Sequence, residues 1–107
     1  MCGISGLIGT DVGTADVLQR MTEVISHRGP DDFGYRLGEG YGFGHRRLSV
    51  IDLSPAGHQP MSNEDGTIWV THNGEIYNFV ELRKELEKRG HKFKSNTDTE
   101  VIIHSYE

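Results

Sequence analysis

Short β-like segments alternate with segments of helical periodicity along this chain, and that alternation constrains its fold more than any other sequence feature. Residues 4–8 predict a strand, and apolar residues then recur at helical spacing over 17–25, behind Thr14 as the capping residue. Strand and helix therefore open the domain in sequence order. The mixture is compatible with an α+β arrangement.

The middle of the chain is rich in glycine and β-like. Residues 35–52 predict two hairpin strands with a turn at 38–40. The run 68–72 is β-branched and aromatic, so it predicts a central strand that leads directly into an Asn-Gly pair. A further short strand is expected at 91–94.

Two more helices are expected in the last third of the chain. Asn78 is a suitable N-cap residue with Glu81 in capping-box position, and Gly90 predicts the end of that helix. Thr97 and Glu100 repeat the capping-box pattern and predict a third helix. This helix is expected to be still running at the end of the sequence, which indicates the front part of a longer domain.

Composition limits the partners that this chain can have. It carries 11 Lys and Arg residues against 16 Asp and Glu residues, a net charge of −5. Its basic residues are scattered or matched by nearby glutamates, so no nucleic-acid partner is expected. With 107 residues, no long apolar run and no signal-peptide pattern, a single cytoplasmic domain without a membrane partner is expected.

The only cysteine, Cys2, follows Met1 directly. Removal of Met1 would leave a thiol and a free α-amine on one residue. An α-amine has an ordinary pKa of roughly 7.7 to 8.0, so near neutral pH it can act as a general base for the thiol. An arbitrary cysteine is more often a small apolar residue at the start of a buried strand, so position alone does not decide the role of Cys2.

Segment 73–78 joins the predicted strand to the following helix at an exposed junction. There the Asn73 carboxamide and neighbouring backbone N–H groups could donate two hydrogen bonds to one oxygen, as an oxyanion hole requires. The dipeptide Asn73-Gly74 alone is more often a plain turn.

Arg47 and Asp98 are candidate groups for binding an amino acid. A guanidinium suits bidentate recognition of a carboxylate, and an acid beside a helix N-terminus can pair with an ammonium group. Taken separately, Arg47 is typical of a surface arginine and Asp98 of a favourably placed helix acid. Together with a thiol and an oxyanion hole, they describe an amino-acid substrate with an electrophilic side-chain carbonyl.

Six short motifs follow one another along the chain: Met1-Cys2-Gly3-Ile4, Arg28-Gly29-Pro30-Asp31, Arg47-Leu48-Ser49-Val50-Ile51-Asp52, Gln59-Pro60-Met61, Asn73-Gly74-Glu75-Ile76-Tyr77-Asn78 and Thr97-Asp98-Thr99-Glu100. In this order and spacing the chain resembles, over essentially its whole length, the class II glutamine amidotransferases of the asparagine synthetase type. Branches that act on sugar phosphates or phosphoribosyl pyrophosphate carry Thr-Arg-Trp where this chain has Arg46-Arg47-Leu48, so the asparagine synthetase type is favoured.

The resemblance implies glutamine as the small-molecule substrate and a reaction for it. Cys2 attacks the carboxamide carbon of glutamine while its α-amine, through water, manages the proton. Ammonia leaves a γ-glutamyl thioester, which water hydrolyses to glutamate. Asn73 and Gly74 are the groups that the resemblance assigns to the tetrahedral oxyanion.

The resemblance also implies which residues bind the substrate. Arg47 holds the α-carboxylate, and Asp98 with Glu75 holds the α-ammonium. The remaining residues expected to line the pocket are Leu48, Ser49, Val50 and Ile51.

The fold that the resemblance implies is a four-layer αββα sandwich of the N-terminal nucleophile hydrolase type, with antiparallel sheets between helices. Residues 1–107 would be the N-terminal part of this glutaminase domain. Asparagine synthetases continue into an ATP-dependent synthetase domain with a Ser-Gly-Gly loop, which this sequence lacks. ATP and Mg would belong to that C-terminal domain, and no cofactor or metal is expected in residues 1–107.

Several alternatives stay open at this point. The glutaminase part could serve a related amidotransferase that acts on another carboxylate or on a sugar. A non-catalytic truncated remnant that binds glutamine or a partner subunit is a second alternative. The acceptor substrate and the choice between monomer and homodimer are not encoded in these motifs.

Two further groups of residues are expected to be structural. Residues 28–31 lie near the glutaminase pocket in the resembling family, but Gly29 and Pro30 favour a turn. The six histidines are expected to be structural or exposed, because none forms a ligand pair at helical spacing.

Overall fold

A computed structural model describes residues 2–9, 15–49 and 51–107. The expectations for Met1, for Thr14 as a helix cap and for Val50 as a pocket residue lie outside the described residues. In chain order the elements are β1 (Gly3–Ile8), α1 (Ala15–Val24), β2 (Asp32–Gly38), β3 (Tyr41–Arg47), β4 (Met61–Ser62), β5 (Trp69–Val70), α2 (Phe79–Lys88) and α3 (Thr99–Tyr106).

The first three strands form an antiparallel sheet in the order β1-β3-β2. Its β2–β3 pair is the hairpin that the glycine-rich pattern predicts. Register runs from Gly3 opposite Arg46 on one side of β3 and from Asp32 opposite Arg47 on the other. The alternation of β-like and helical segments thus gives an α+β chain with antiparallel sheets.

Helix α1 packs on this sheet through one buried apolar side chain and one hydrogen bond between hydroxyl groups. Leu18 is fully buried, and the Thr22 hydroxyl lies 2.9 Å from the Ser5 hydroxyl of β1. Gly44 permits this approach, since a Cβ there would lie 2.1 Å from the Thr22 hydroxyl oxygen. The sheet and α1 together fix the start of β1, where Cys2 lies.

The prediction of a central strand over 68–72 is confirmed only for Trp69–Val70. Among the described residues this short strand pairs only with Met61–Ser62, so it is not central to a larger sheet. The Asn63 side chain accepts hydrogen bonds from the Thr67 and Ile68 N–H groups at 2.9 and 3.0 Å, so a side-chain turn replaces the strand ladder before residue 69. After β5, polar side chains again accept backbone N–H groups, as Gln59 does from His72 and Asp98 from Ile76.

Residues 91–94 are not a strand either, contrary to the sequence pattern. The Lys92 N–H donates to the Glu64 carboxylate at 3.3 Å, and the Lys94 N–H donates to the Glu100 carboxylate at 2.8 Å. Because carboxylates occupy these donors, the segment has no need of a neighbouring strand.

Both predicted C-terminal helices are present, but neither capping box forms. Asn78 is the N-cap of α2 without a side-chain hydrogen bond, and α3 begins after Asp98 instead of after Thr97. Glu100 reaches the preceding connection and not its own N-cap residue. Gly90 has a φ of +98°, which agrees with its predicted place after the end of α2.

The apolar core of the second half lies under α3, where Val101 and Ile103 are almost fully buried. None of the helices in the described segments combines the length and the apolar character needed to span a lipid bilayer.

Candidate active site

A cavity of about 420 Å³ lies where the start of β1, the end of β3, the segment after β5 and the beginning of α3 meet. It contains most of the site residues expected from the sequence: Cys2, Arg47, Leu48, Ile51, Asn73, Gly74, Glu75 and Asp98. Its remaining lining residues are Gly57, Gln59, His72, Tyr77, Thr97 and Thr99. A separate cavity of about 480 Å³ beside β5 and α3 has a mainly apolar and aromatic lining and contains none of the expected site residues.

Backbone contacts at the end of β3 hold the Cys2 side chain. The Leu48 N–H donates to Sγ at 3.3 Å, and the thiol donates to the Leu48 carbonyl oxygen at 3.6 Å. The Arg28 Nε–H donates to the Cys2 carbonyl oxygen at 3.0 Å. Cys2 is partly exposed, so its sulfur can meet a molecule in the cavity.

The segment 29–31, where Gly29 and Pro30 favour a turn, instead contacts the end of β3 beside Cys2, and Pro30 forms an isolated β-bridge with Arg47. The Arg46 Nε–H donates to the Gly29 carbonyl oxygen at 3.0 Å, and the Asp31 N–H donates to the Arg47 carbonyl oxygen at 3.0 Å. The Asp31 carboxylate accepts the Ser49 N–H at 2.8 Å. Ser49 thus binds this segment and does not line the cavity, which differs from the expectation for it.

Arg47 is buried, with 5% of its surface exposed. Its guanidinium donates to the Ser54 carbonyl oxygen at 2.7 Å, to the Ile51 carbonyl oxygen at 3.3 Å and to the Asp52 carbonyl oxygen. These bonds shape the loop after β3, a structural task that the sequence did not indicate. A guanidinium has five N–H donors, so donors remain that are not committed to these carbonyl groups.

Side chains, and not strand pairing, position the segment 73–75. The His72 N–H donates to the Gln59 side-chain oxygen at 2.7 Å, and the His72 carbonyl oxygen lies 3.0 Å from His45 Nε2. The His72 ring Nδ1 is 3.2 Å from the Thr99 hydroxyl oxygen. His72, the residue directly before the Asn-Gly pair, is therefore held through its N–H, its carbonyl oxygen and its ring.

Asp98 holds the other end of this segment. Its carboxylate accepts the Ile76 N–H at 2.7 Å, and only 6% of its surface is exposed. Within the described part of the chain, the Gly74 N–H has no backbone acceptor. The Asn73 and Gly74 donors lie at the same cavity as the Cys2 sulfur, so they are available to an oxygen of a bound molecule.

His45 is fully buried, and burial lowers its pKa from the ordinary value of 6.5. Because a carbonyl oxygen only accepts, the His45 Nε2 must carry the proton in the bond to His72. The His45 Nδ1 has no hydrogen-bond partner among the residues that the structure describes. A neutral imidazole therefore connects the sheet to the Asn-Gly segment.

Gln59, His72, His45 and Thr99 support the cavity, and sequence reasoning assigned none of them a role. Gln59 belonged to a recognised motif, which was the available signal for it. The two histidines gave no signal, because their partners are distant in sequence and only the fold brings them close: a backbone oxygen for His45, and the Gln59 and Thr99 side chains for His72.

The chemistry of this cavity suits attack on a carbonyl carbon. A thiol, two candidate oxyanion donors, a carboxylate and a guanidinium line one space of a size usual for small-molecule sites, about 300–1,000 Å³. Such a combination can form and break a thioester while it holds a charged small molecule.

Comparisons with known proteins all point to proteins that use glutamine. A family model described as a glutamine amidotransferase domain matches residues 1–107. The chain is 48% identical to asparagine synthetase [glutamine-hydrolyzing] 1 of Bacillus subtilis, with 99% of this chain and 17% of that protein covered. It is 48% identical to the Arabidopsis thaliana asparagine synthetase [glutamine-hydrolyzing] 1, covering 100% of this chain and 18% of that protein. The chain thus spans less than a fifth of the length of these relatives.

Proposed function

This chain belongs to the glutamine amidotransferase domain family, and from that premise we propose that it hydrolyses glutamine to glutamate and ammonia through a thioester on Cys2. The observation that carries the proposal is the single cavity that contains Cys2, Asn73, Gly74 and Asp98. The names of the relatives, which are glutamine-hydrolysing enzymes, point to the same substrate.

The proposed reaction begins when the Cys2 sulfur attacks the side-chain carboxamide carbon of glutamine. The thiol proton passes to the Cys2 α-amine, directly or through one water, and then to the leaving nitrogen. The C–S bond forms, the C–N bond breaks and ammonia leaves. Water next attacks the thioester, which releases glutamate and returns the proton to sulfur. This sequence requires removal of Met1, since otherwise the amine is part of a peptide bond.

Asn73 and Gly74 are proposed to stabilise the tetrahedral oxyanion. Their position at the same cavity as the thiol supports this role, as does the Gly74 N–H, which has no backbone acceptor among the described residues. Donors that are held in place before the reaction cost no reorganisation when charge develops on the oxygen. His45 and Gln59 would supply that rigidity through their bonds to His72.

Charged groups around the cavity are proposed to bind the amino-acid end of glutamine. Asp98 and Glu75 would hold the α-ammonium, and Arg47 would use its remaining N–H donors for the α-carboxylate. Asp98 keeps one carboxylate oxygen beyond the one that accepts the Ile76 N–H. The backbone of Leu48 and Ile51 would complete the pocket.

The wider role is also a proposal. In a full-length protein the ammonia would serve ATP-dependent asparagine synthesis from aspartate, in the cytoplasm, with a C-terminal synthetase domain as partner. We place the chain in the first part of a four-layer αββα sandwich. The antiparallel sheet β1-β3-β2 with α1 packed on it supports this proposal, since these elements would form one β layer and one α layer of that fold.

Intact mass measurement before and after treatment with a diazoketone analogue of glutamine tests the proposed function. Such a compound alkylates an activated cysteine in a formed glutamine site. We expect a chain that lacks Met1 and gains one adduct. Excess glutamine should protect it, excess aspartate should not, and the Cys2→Ala variant should gain no adduct.

Two results would contradict the proposal. Retention of Met1 would remove the general base on which the mechanism depends. A trimmed chain that stays unlabelled, or one whose labelling glutamine does not slow, would show that the cavity does not work as a glutamine site.

A further inference from the structure

Two histidines and two glutamates come together away from the candidate active site. They are Glu64 in the β4–β5 turn, His91 after α2, and His104 and Glu107 at the end of α3; we call them the His/Glu cluster. One donor atom from each residue lies within 4.8 Å of all the others. No motif of the sequence analysis includes them together.

His104 is the central observation, because it is 2% exposed and its Nδ1 is buried without a hydrogen-bond partner in the described residues. Its other nitrogen, Nε2, lies 3.2 Å from the buried carboxylate of Glu100. A carboxylate accepts, so Nε2 carries a proton. A histidine that binds a metal is typically oriented in this way by a carboxylate behind it.

The surroundings of the His104 Nδ1 favour a proton or a cation. Glu64 Oε1 is 3.2 Å from Nδ1 and Glu107 Oε1 is 3.6 Å from it. In a neutral ring whose proton is on Nε2, a lone pair would face two carboxylates, which is repulsive. A second proton on the ring, a proton on one of the carboxylates, or a cation between the ring and the carboxylates removes that repulsion.

The distances within the cluster are compatible with a cation. His91 Nδ1 lies 3.4 Å from Glu64 Oε2 and 3.4 Å from Glu107 Oε1. Tetrahedral zinc with bonds of about 2.0–2.2 Å holds its ligand atoms about 3.3–3.6 Å apart. The four histidine–glutamate separations, from 3.2 to 3.6 Å, lie close to that value. Glu64 faces His104 through Oε1 and His91 through Oε2, so a zinc ion would take one of these two oxygens.

We propose that Glu64, His91, His104 and Glu107 form a structural zinc site. Two imidazole nitrogens and two carboxylate oxygens suit Zn²⁺ better than the all-oxygen sites that Mg²⁺ and Ca²⁺ prefer. The Phe93 ring packs 4.5 Å from the His104 ring and gives the site an apolar side. The sequence predicted no metal in residues 1–107, because no two histidines form a ligand pair at helical spacing. The proposed site differs from that prediction, since its ligands come from three separate segments.

The site would join three segments that otherwise share few backbone bonds. Glu64 lies in the β4–β5 turn, His91 lies in the connection after α2, His104 lies on α3, and Glu107 is the C-cap residue of α3. Asp98 and Thr99, at the beginning of α3, line the candidate active site. Zinc at one end of α3 would thus hold the helix whose other end contacts the cavity.

Titration calorimetry with zinc chloride tests the site on the purified, tag-free chain. The Cys2→Ala variant is the background, because the thiol and α-amine of Cys2 could themselves chelate zinc. We expect one zinc ion per chain and a higher melting temperature with zinc than with EDTA. Loss of a metal ligand should exceed the roughly 10–100-fold affinity loss usual for an outer-shell residue, so His91→Ala and Glu64→Gln should each weaken binding by more than about 100-fold.

His27→Ala is the matched control, because His27 is exposed and outside the His/Glu cluster. It should leave both stoichiometry and affinity unchanged. His104 is too buried for a clean substitution, so Co²⁺ is a second probe. The bound ion should show the visible absorption of tetrahedral Co²⁺, and this absorption should disappear in His91→Ala.

Three outcomes would overturn the proposal: no saturable zinc binding, equal affinity in His91→Ala, or an unchanged melting temperature. Any of them would show that protons, and not a structural zinc ion, relieve the repulsion in the cluster. These measurements do not depend on glutamine hydrolysis, because they use a variant without the nucleophile. Failure of the zinc site and failure of the proposed function are therefore separate results.

Discussion

The two walls of the candidate active site are built by different means. The wall with Cys2 rests on the β1–β3 strand ladder and on the Leu48 backbone, with Arg28 as the side chain that contacts its carbonyl group. The wall with Asn73 and Gly74 follows a two-residue strand and rests on side-chain bonds. We call them the nucleophile wall and the oxyanion wall.

This difference predicts where single substitutions do harm. A strand ladder uses backbone atoms, so it survives most side-chain changes. A buried side-chain bond, once cut, leaves its partner without a hydrogen bond, which costs about 1–3 kcal/mol. Substitutions behind the oxyanion wall should therefore affect stability and turnover more than those behind the nucleophile wall.

The largest effect is expected for Asn73→Ala, which removes a proposed oxyanion donor. Loss of one such donor typically lowers kcat by about 100-fold or more, because the bond is strongest in the transition state. KM for glutamine should change little. Ammonia release at several glutamine concentrations measures both constants.

Asn78→Ala is the control for this substitution. It makes the same chemical change five positions along the chain, at an N-cap that has no side-chain hydrogen bond. Its kcat should stay close to that of the unmodified chain. A raised KM with an unchanged kcat in Asn73→Ala would assign Asn73 to substrate binding and contradict the oxyanion role.

A smaller effect is expected for His45→Leu, which cuts the bond between the sheet and His72. The His72 carbonyl loses its donor, so the free energy of unfolding should fall by about 1–3 kcal/mol. His45→Gln places an N–H donor near the position of Nε2 and should recover part of the loss. Urea unfolding measures both, and equal losses in the two variants would show that the hydrogen bond is unimportant.

The same residue predicts a dependence on pH. Burial lowers the His45 pKa from 6.5, so below pH 6.5 the unfolded chain takes up a proton that the folded chain refuses. The unmodified chain should lose stability relative to His45→Gln as pH falls from about 7.5 to about 5.5. A stability difference that stays constant between these pH values would contradict a neutral buried His45.

The smallest effect is expected on the nucleophile wall. Arg28→Ala removes the bond to the Cys2 carbonyl oxygen, which is solvent-exposed, and should cost at most about 1 kcal/mol. Labelling of Cys2 by the diazoketone should slow only slightly. A loss as large as that of His45→Leu would show that the strand ladder alone does not position Cys2, and the contrast between the walls would fail.

Short sequence patterns predicted the parts of the fold in which backbone groups bond to residues nearby in the chain. The β2–β3 hairpin follows from its glycine turn, and the end of α2 follows from Gly90. Helix α3 was expected, but its start was not, because Glu100 bonds to residues 94 and 95 instead of capping. Residues 68–72 have strand composition, yet Asn63 takes the N–H groups that a neighbouring strand would use.

The candidate site was predictable where a residue carries chemistry in its own side chain. Cys2, Asn73 and Asp98 were identified by residue type and context, and the structure places all three at one cavity. Their supports were not predictable, because His45, Gln59 and Thr99 act on atoms far away in sequence. The task of Arg47 in shaping its loop depends likewise on backbone carbonyls that no motif encodes.

The contact between Cys2 and Leu48 also bears on the order of events at the sulfur. At rest the thiol donates its proton to the Leu48 carbonyl oxygen and accepts the Leu48 N–H. When the proton leaves, the sulfur becomes negative and the same carbonyl oxygen repels it. The Leu48 N–H, at the shorter distance of 3.3 Å, then donates to a charged acceptor and binds it more strongly. The end of β3 can therefore hold the sulfur in both protonation states, so the nucleophile need not leave the strand end when it is activated.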